Sequence, residues 1–153
     1  MFNKVKGKVF TASVSQMKEI QPNCEEIWLI TRAGADIPNT IRVRGLAPGP
    51  ELYKDFIEKW KDSDPKEWWP KYQERFMEEL KLPEKRMALR KLWRLLLEGK
   101  NIGLLCFCSD YRYCHRTIVG EVLSKEGAQV EEVVRNRPKD PADSYVQEAF
   151  NFG

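Results

Sequence analysis

The sequence predicts an α/β fold: a mostly parallel sheet, Rossmann-like and three-layered, with a helical block between strands. Three observations predict it. The segments EIWLIT (26–31) and IGLLCFC (102–108) are near-continuous apolar runs, as in strands buried on both faces. Residues 50–98 carry apolar side chains at helical spacing and make a crossover or side layer between two strands. The 153 residues are 42% hydrophobic and 32% charged, which suits one soluble domain spanning 1–153 around a single core.

The elements follow in order. Residues 4–14, KVKGKVFTASV, alternate and are rich in β-branched residues, so they read as a first strand. The run 26–31 is the second. Residues 33–51 hold AGADIPN and RGLAPGP, a punctuated loop with a short strand at 41–44. Pro50 opens a helix whose Leu52, Tyr53, Phe56, Ile57 and Trp60 share one face. Asp64 is an N-cap and Pro65 a first-turn residue for the next helix, with Trp68, Trp69, Tyr72, Phe76 and Leu80. A third helix starts near Pro83, has Met87, Leu89, Leu92, Trp93 and Leu96 on one stripe, and stops at Gly99. Strand 102–108 leads through a short turn into a helix that opens at Cys114 and stops at Gly127. Its buried face is Ile118, Val119, Val122 and Leu123. Residues 128–134 are a last strand, and the polar tail docks as a short helix through Tyr145, Val146 and Phe150.

Charge and length exclude some functions. A net charge of +3 neither demands nor excludes a nucleic-acid partner. Apolar runs such as Leu95-Leu96-Leu97 are far too short to span a bilayer, so no membrane partner is expected. The first residues, MFNKVKGKVFTASV, lack a signal peptide's apolar core and cleavage site. The expected compartment is therefore the cytoplasm, where thiols stay reduced. Four cysteines are too few for a disulfide scaffold. There is no GxGxxG, GxxxxGK[ST] or GxSxG motif.

Chemistry concentrates in one stretch, GLLCFCSDYRYCHRTIVGEVL (103–123), which holds three cysteines and the sole histidine. Cys106 and Cys108 leave the same face of a strand. Cys106 reads as a small core residue, while Cys108 stands at the strand's end. Cys114, His115 and Arg116 open a helix, where free N–H groups and the dipole favour a thiolate and an anion. Arg116 is unfavourable to that dipole, so an anionic ligand or a carboxylate such as Asp110 should accompany it. Cys108, Cys114 and His115 are the candidate catalytic residues. A Cys108–His115 pair is better placed than the adjacent Cys114–His115 pair. Arg116, Arg44, Arg32, Asp110 and Ser109 are the candidate ligand-binding residues, because loops after parallel strands converge at the strands' carboxyl ends. Arg42 reads as solvating its loop.

Two other uses of the cysteines compete. Zinc needs a tetrahedral donor set, but adjacent helical residues project roughly 100° apart, and the spacing matches no usual structural-zinc pattern. No metal is therefore assigned. A Cys106–Cys108 disulfide is strained at roughly 6.6 Å between Cα atoms, whereas Cys108–Cys114 is feasible as a redox switch.

The stretch LLCFCSDYRYCHRTIVGEVL resembles the signature of the domain-of-unknown-function 488 family: a strand ending in Leu-Leu-Cys, a variable turn, then Cys-His-Arg opening a helix. LAPGPELYKDFIEKW and the stretch containing YQERFMEEL are similar to that family's LAPS…EL and Y…EL region, so the likeness spans residues 46–123. It implies an α/β fold and a site around Cys106, Cys114, His115 and Arg116, but no settled reaction. At Cys108 many members carry an acidic residue, so no acid–base role transfers to that position.

The resulting expectation is a protein that binds a small anion, a nucleotide or phosphorylated metabolite, at the Cys-His-Arg turn. A cysteine thiolate is its candidate reactive group. The alternatives are a zinc-binding domain and a nucleic-acid-binding accessory module, the latter using Lys85, Arg86, Arg90, Lys91 and Arg94. The helical aromatics read as core, not as base-stacking platforms.

Overall fold

A computed structural model describes residues 5–108 and 110–133. Five strands form one all-parallel sheet in the order β3-β2-β4-β1-β5. They are β1 (Lys8–Ser13), β2 (Glu26–Leu29), β3 (Ile41–Arg42), β4 (Ile102–Cys106) and β5 (Gln129–Glu132). β4 is fully buried and lies between β1 and β2, pairing Ser13 with Cys106 and Leu29 with Leu105. Its continuous apolar run is what that central place requires.

The side-chain alternation of the strands divides the core in two. On one face Val9, Trp28, Ile102 and Leu104 pack against three helices. These are α3 (Pro65–Glu79), α4 (Pro83–Leu97) and α5 (His115–Lys125). The other face buries Phe10, Ala12, Ile27, Leu29 and Leu105 beneath a short helix, α1 (Met17–Ile20), which brings Ile20 to the sheet. Nothing in the local periodicity of residues 15–25 announces α1, because a single turn has too few positions to show a stripe.

The helical block begins with α2 (Pro50–Asp55), which widens into a π-helical turn over Phe56–Trp60. Asp64 caps α3 by accepting from the Lys66 N–H at 3.0 Å, and Pro65 follows as its first residue. Gly99 and Gly127 end α4 and α5 with φ of 90° and 112°, a conformation costly for residues with a Cβ.

Two details of α4 differ from the periodic reading. Met87 is 68% exposed, and the buried stripe runs instead through Lys85, Leu92, Leu95 and Leu96. Lys85 is only 3% exposed, so it leaves the basic surface set. Its Nζ lies 3.6 Å from Glu79 and 6.0 Å from the Phe76 ring centre, which compensates an otherwise unfavourable burial. The expected tail helix lies outside the described residues. Among those described, no helix is long and apolar enough to cross a membrane.

Candidate functional site

The carboxyl ends of β2 and β4 converge beside the start of α5. That is where ligands bind in open parallel α/β sheets. β4 ends at Cys106, a 3₁₀ turn covers Tyr111–Tyr113, and Cys114 is the N-cap residue of α5. Alternation along β4 sends Cys106 to the same face as Ile102 and Leu104, toward α5. The helix start therefore brings Cys114 onto Cys106, with 2.7 Å between the sulfurs.

Arg116 organises this cluster. It is 1% exposed and sits in the first turn of α5. One terminal nitrogen donates to Cys106 Sγ at 2.9 Å and to the Cys108 carbonyl at 2.8 Å, and lies 3.5 Å from Cys114 Sγ. The rest of the fork meets Glu132 from β5, with Nε at 3.1 Å and the other terminal nitrogen at 2.9 Å. Thr11 of β1 donates to the same carboxylate at 2.7 Å. The carboxylate that accompanies Arg116 is thus Glu132, not Asp110. Asp110 instead caps the turn by accepting from the Arg112 N–H and pairs with the Arg112 guanidinium at 2.7 Å.

The electrostatics single out Cys106. Burial opposes its ionisation. Hydrogen bonds from the Cys108 and Cys114 thiols, together with the charge of Arg116, override that cost and hold its pKa well below the ordinary thiol range. Cys108 is pushed up to about 12, chiefly by its hydrogen bond to Cys106. Burial, then the two neighbouring sulfurs, push Cys114 well above the ordinary range. Among the three sulfurs the surroundings favour ionisation at Cys106, the residue that reads from sequence as core.

His115 is buried, and its Nε2 donates to the Ile30 carbonyl beyond β2. A carbonyl only accepts, so Nε2 carries the proton and Nδ1 is left as the acceptor. Nδ1 lies 3.9 Å from Cys114 Sγ. Burial lowers the pKa of the imidazole and favours its neutral form. The histidine contact is therefore with its sequence neighbour Cys114, because the extended Cys114 backbone (φ −133°) turns that side chain away from the helical projection.

A cavity of about 170 Å³ opens beside the cluster. Cys106, Cys108, Cys114 and His115 line it, with Tyr53, Phe56, Tyr72, Phe107 and Tyr113 as aromatic walls. Arg32 lines it too, and its Nε donates to the Pro48 carbonyl at 2.6 Å. Arg44 is exposed and donates to the Arg32 carbonyl at 3.1 Å, so it braces Arg32 instead of lining the cavity. Arg42 does more than solvate: it binds Thr31, Ala33, Gly34, Ala35 and Asp36. Ser109 lies outside the described residues.

Sequence reasoning missed Glu132, Thr11 and the cavity role of Tyr72 and Phe107. One signal was available for Glu132. Glu131 and Glu132 are adjacent in a strand, so one of them must face inward and needs a cation there.

The sulfurs of Cys106, Cys108 and Cys114 all lie within 4.8 Å of one another. A tetrahedral zinc with Zn–S of about 2.3 Å holds its sulfurs about 3.8 Å apart. The 2.7 Å between Cys106 and Cys114 is shorter than that spacing, and Arg116 donates to the Cys106 sulfur.

Residues 9–127 match the sequence profile of the DUF488-N3a family, described as the active DUF488-N3 subclade. No curated protein and no solved structure matches the chain. The match runs from β1 through α5 and takes in the Leu-Leu-Cys strand end, the turn and the Cys-His-Arg helix start, so the chain belongs to the domain-of-unknown-function 488 family, in its N3a branch.

Proposed function

We propose that the protein is a cysteine-dependent enzyme in which Cys106 is the nucleophile. One observation carries this reading: Cys106 Sγ lines the cavity while accepting from the Arg116 guanidinium at 2.9 Å. A thiolate held by a buried cation is ionised near neutral pH and stays nucleophilic. Cys114, 2.7 Å away, is placed to give its proton to a leaving group, and neutral His115 stands behind it at 3.9 Å as a proton acceptor. The description of the matched subclade as active agrees with this reading.

The ligand class follows from the cavity. Its volume of about 170 Å³ compares with a cavity of about 150 Å³ that takes up benzene. It accommodates one aromatic ring, such as a nucleobase or a similar group, against the aromatic walls. A whole nucleotide exceeds it, so a phosphate would remain at the mouth, where Arg32 is the cation available. Arg116 is committed to Glu132 and the cysteines, so in this reading it holds the thiolate and not the ligand's anion.

The test is alkylation by iodoacetamide across pH, read residue by residue after proteolysis. Cys106 should label fastest, with a midpoint well below the roughly 8.5 of a free thiol. Cys24 is an internal control, since burial and Glu25 push it up to about 11. Phenyl phosphate should protect Cys106, and Arg32→Ala should weaken that protection. Labelling of Cys106 no faster than of Cys24 would sink the proposal.

A further inference from the structure

Nucleophilic attack by Cys106 needs one sulfur, yet the fold buries a second beside it. Cys114 is 1% exposed, its side chain makes no capping hydrogen bond to α5, and its sulfur lies 2.7 Å from Cys106. A Ser, Thr, Asp or Asn at this N-cap position would stabilise the helix. Cysteine here therefore serves something other than capping. Arg116 spans the pair at 2.9 and 3.5 Å, so one cation faces whichever sulfur is charged.

We infer that Cys106 and Cys114 form a two-cysteine redox centre that reduces a hydroperoxide, with Cys106 as the attacking and Cys114 as the resolving sulfur. The inference rests on the thiolate reading of Cys106. In the first step the Cys106 thiolate attacks the terminal oxygen of the hydroperoxide and the O–O bond breaks. The departing alkoxide takes the Cys114 thiol proton and leaves as an alcohol, or as water from hydrogen peroxide. Cys106 is then a sulfenic acid and Cys114 a thiolate. In the second step Cys114 attacks Cys106 Sγ, the S–S bond forms and the S–O bond breaks. The hydroxide released is protonated by solvent to water. The two sulfurs supply the two electrons that reduce the peroxide.

Geometry favours this pair over the alternatives. Closing 2.7 Å to the roughly 2.05 Å of a disulfide takes about 0.65 Å of movement. Cys108 belongs to the same cluster but is only partly buried and lines the cavity, so it is placed to exchange with an incoming thiol that restores the pair. Cys24, in the core on the opposite face of the sheet, takes no part.

The experiment treats the full-length protein with one equivalent of hydrogen peroxide. Free thiols are then counted, and peptides are mapped without reduction. The count should fall from four to two, with Cys106 joined to Cys114 and full recovery on adding dithiothreitol. In Cys114→Ser, oxidation should stop at the sulfenic acid, trapped on Cys106 by dimedone. In Cys108→Ser the Cys106–Cys114 bond should still form. A wild-type map in which Cys106 runs on to sulfinic acid, or is joined to Cys108, overturns the inference without any variant having to fold. Alkylation of the reduced protein, before peroxide is added, separates the two readings. Fast labelling of Cys106 with no Cys106–Cys114 bond removes the redox centre and keeps the nucleophile. Slow labelling of Cys106 removes both.

Discussion

Arg116 is the residue on which the site depends, because its charge is balanced from two directions. Glu132 takes one side of the guanidinium and the Cys106 sulfur the other. Taking all three out of water is costly, and their mutual pairing offsets that cost. Removing the cation alone leaves a carboxylate and a sulfur buried without their counter-charge. Arg116→Met should therefore lose roughly 3 kcal/mol in denaturant unfolding. Pairing it with Glu132→Leu should recover part of that loss, since the second orphaned charge is then gone. A double variant no more stable than Arg116→Met would mean that the pair is not coupled. The same variants should slow Cys106 alkylation, because the sulfur loses the positive charge beside it.

At the scale of elements, the site is assembled by three pieces with different origins. β4 and α5 are locally encoded: an apolar run gives the strand, and Gly127 ends a helix with one apolar face. Their order, with the turn between them, was legible for that reason. The π-helical turn Phe56–Trp60 was read as ordinary helix, because its aromatic spacing also fits 3.6 residues per turn. It places Phe56 and Ile57 on the cavity wall. The link from Arg116 to Glu132 was not legible, because it depends on β5 pairing with β1, a tertiary choice no local pattern reports. The contact of Cys106 with Arg116 is not legible for a related reason: a strand-end cysteine in a buried face looks the same whether it only fills space or also meets a guanidinium. α3 allows a separate check on local encoding. Asp64→Ala should cost about 1 kcal/mol in thermal or denaturant unfolding, through the lost N-cap alone. Cys106 labelling should be unchanged, since the cap is remote from the cavity lining.

For the whole molecule, buried His115 ties stability to pH. Burial is the main reason its pKa falls below 6.5 in the native state, whereas in the unfolded chain it titrates at the ordinary value. Above pH 6.5 both states hold a neutral ring and the histidine is silent. As the pH falls below 6.5 the unfolded chain takes up a proton that the native one resists, so stability drops. Urea melts of the wild type should show that decline from pH 7 toward 5, and His115→Gln should flatten it. A parallel decline in the variant would assign the effect to other groups. The architecture itself, parallel strands with helices between them, is readable because β2 and β4 lie in near-continuous apolar runs. The helix on the second face was not, since α1 is a single turn.

Arg42 closes off backbone beside the outer strand of the sheet. β3 is an outer strand of only two residues, and the backbone preceding it would offer a row of open carbonyls to a neighbouring chain. Arg42 occupies that row itself, binding the carbonyls of Thr31, Ala33, Gly34 and Ala35 with one guanidinium. The side chain thereby staples the loop after β2 to β3, so these carbonyls are satisfied from within the chain and need no donor from outside it.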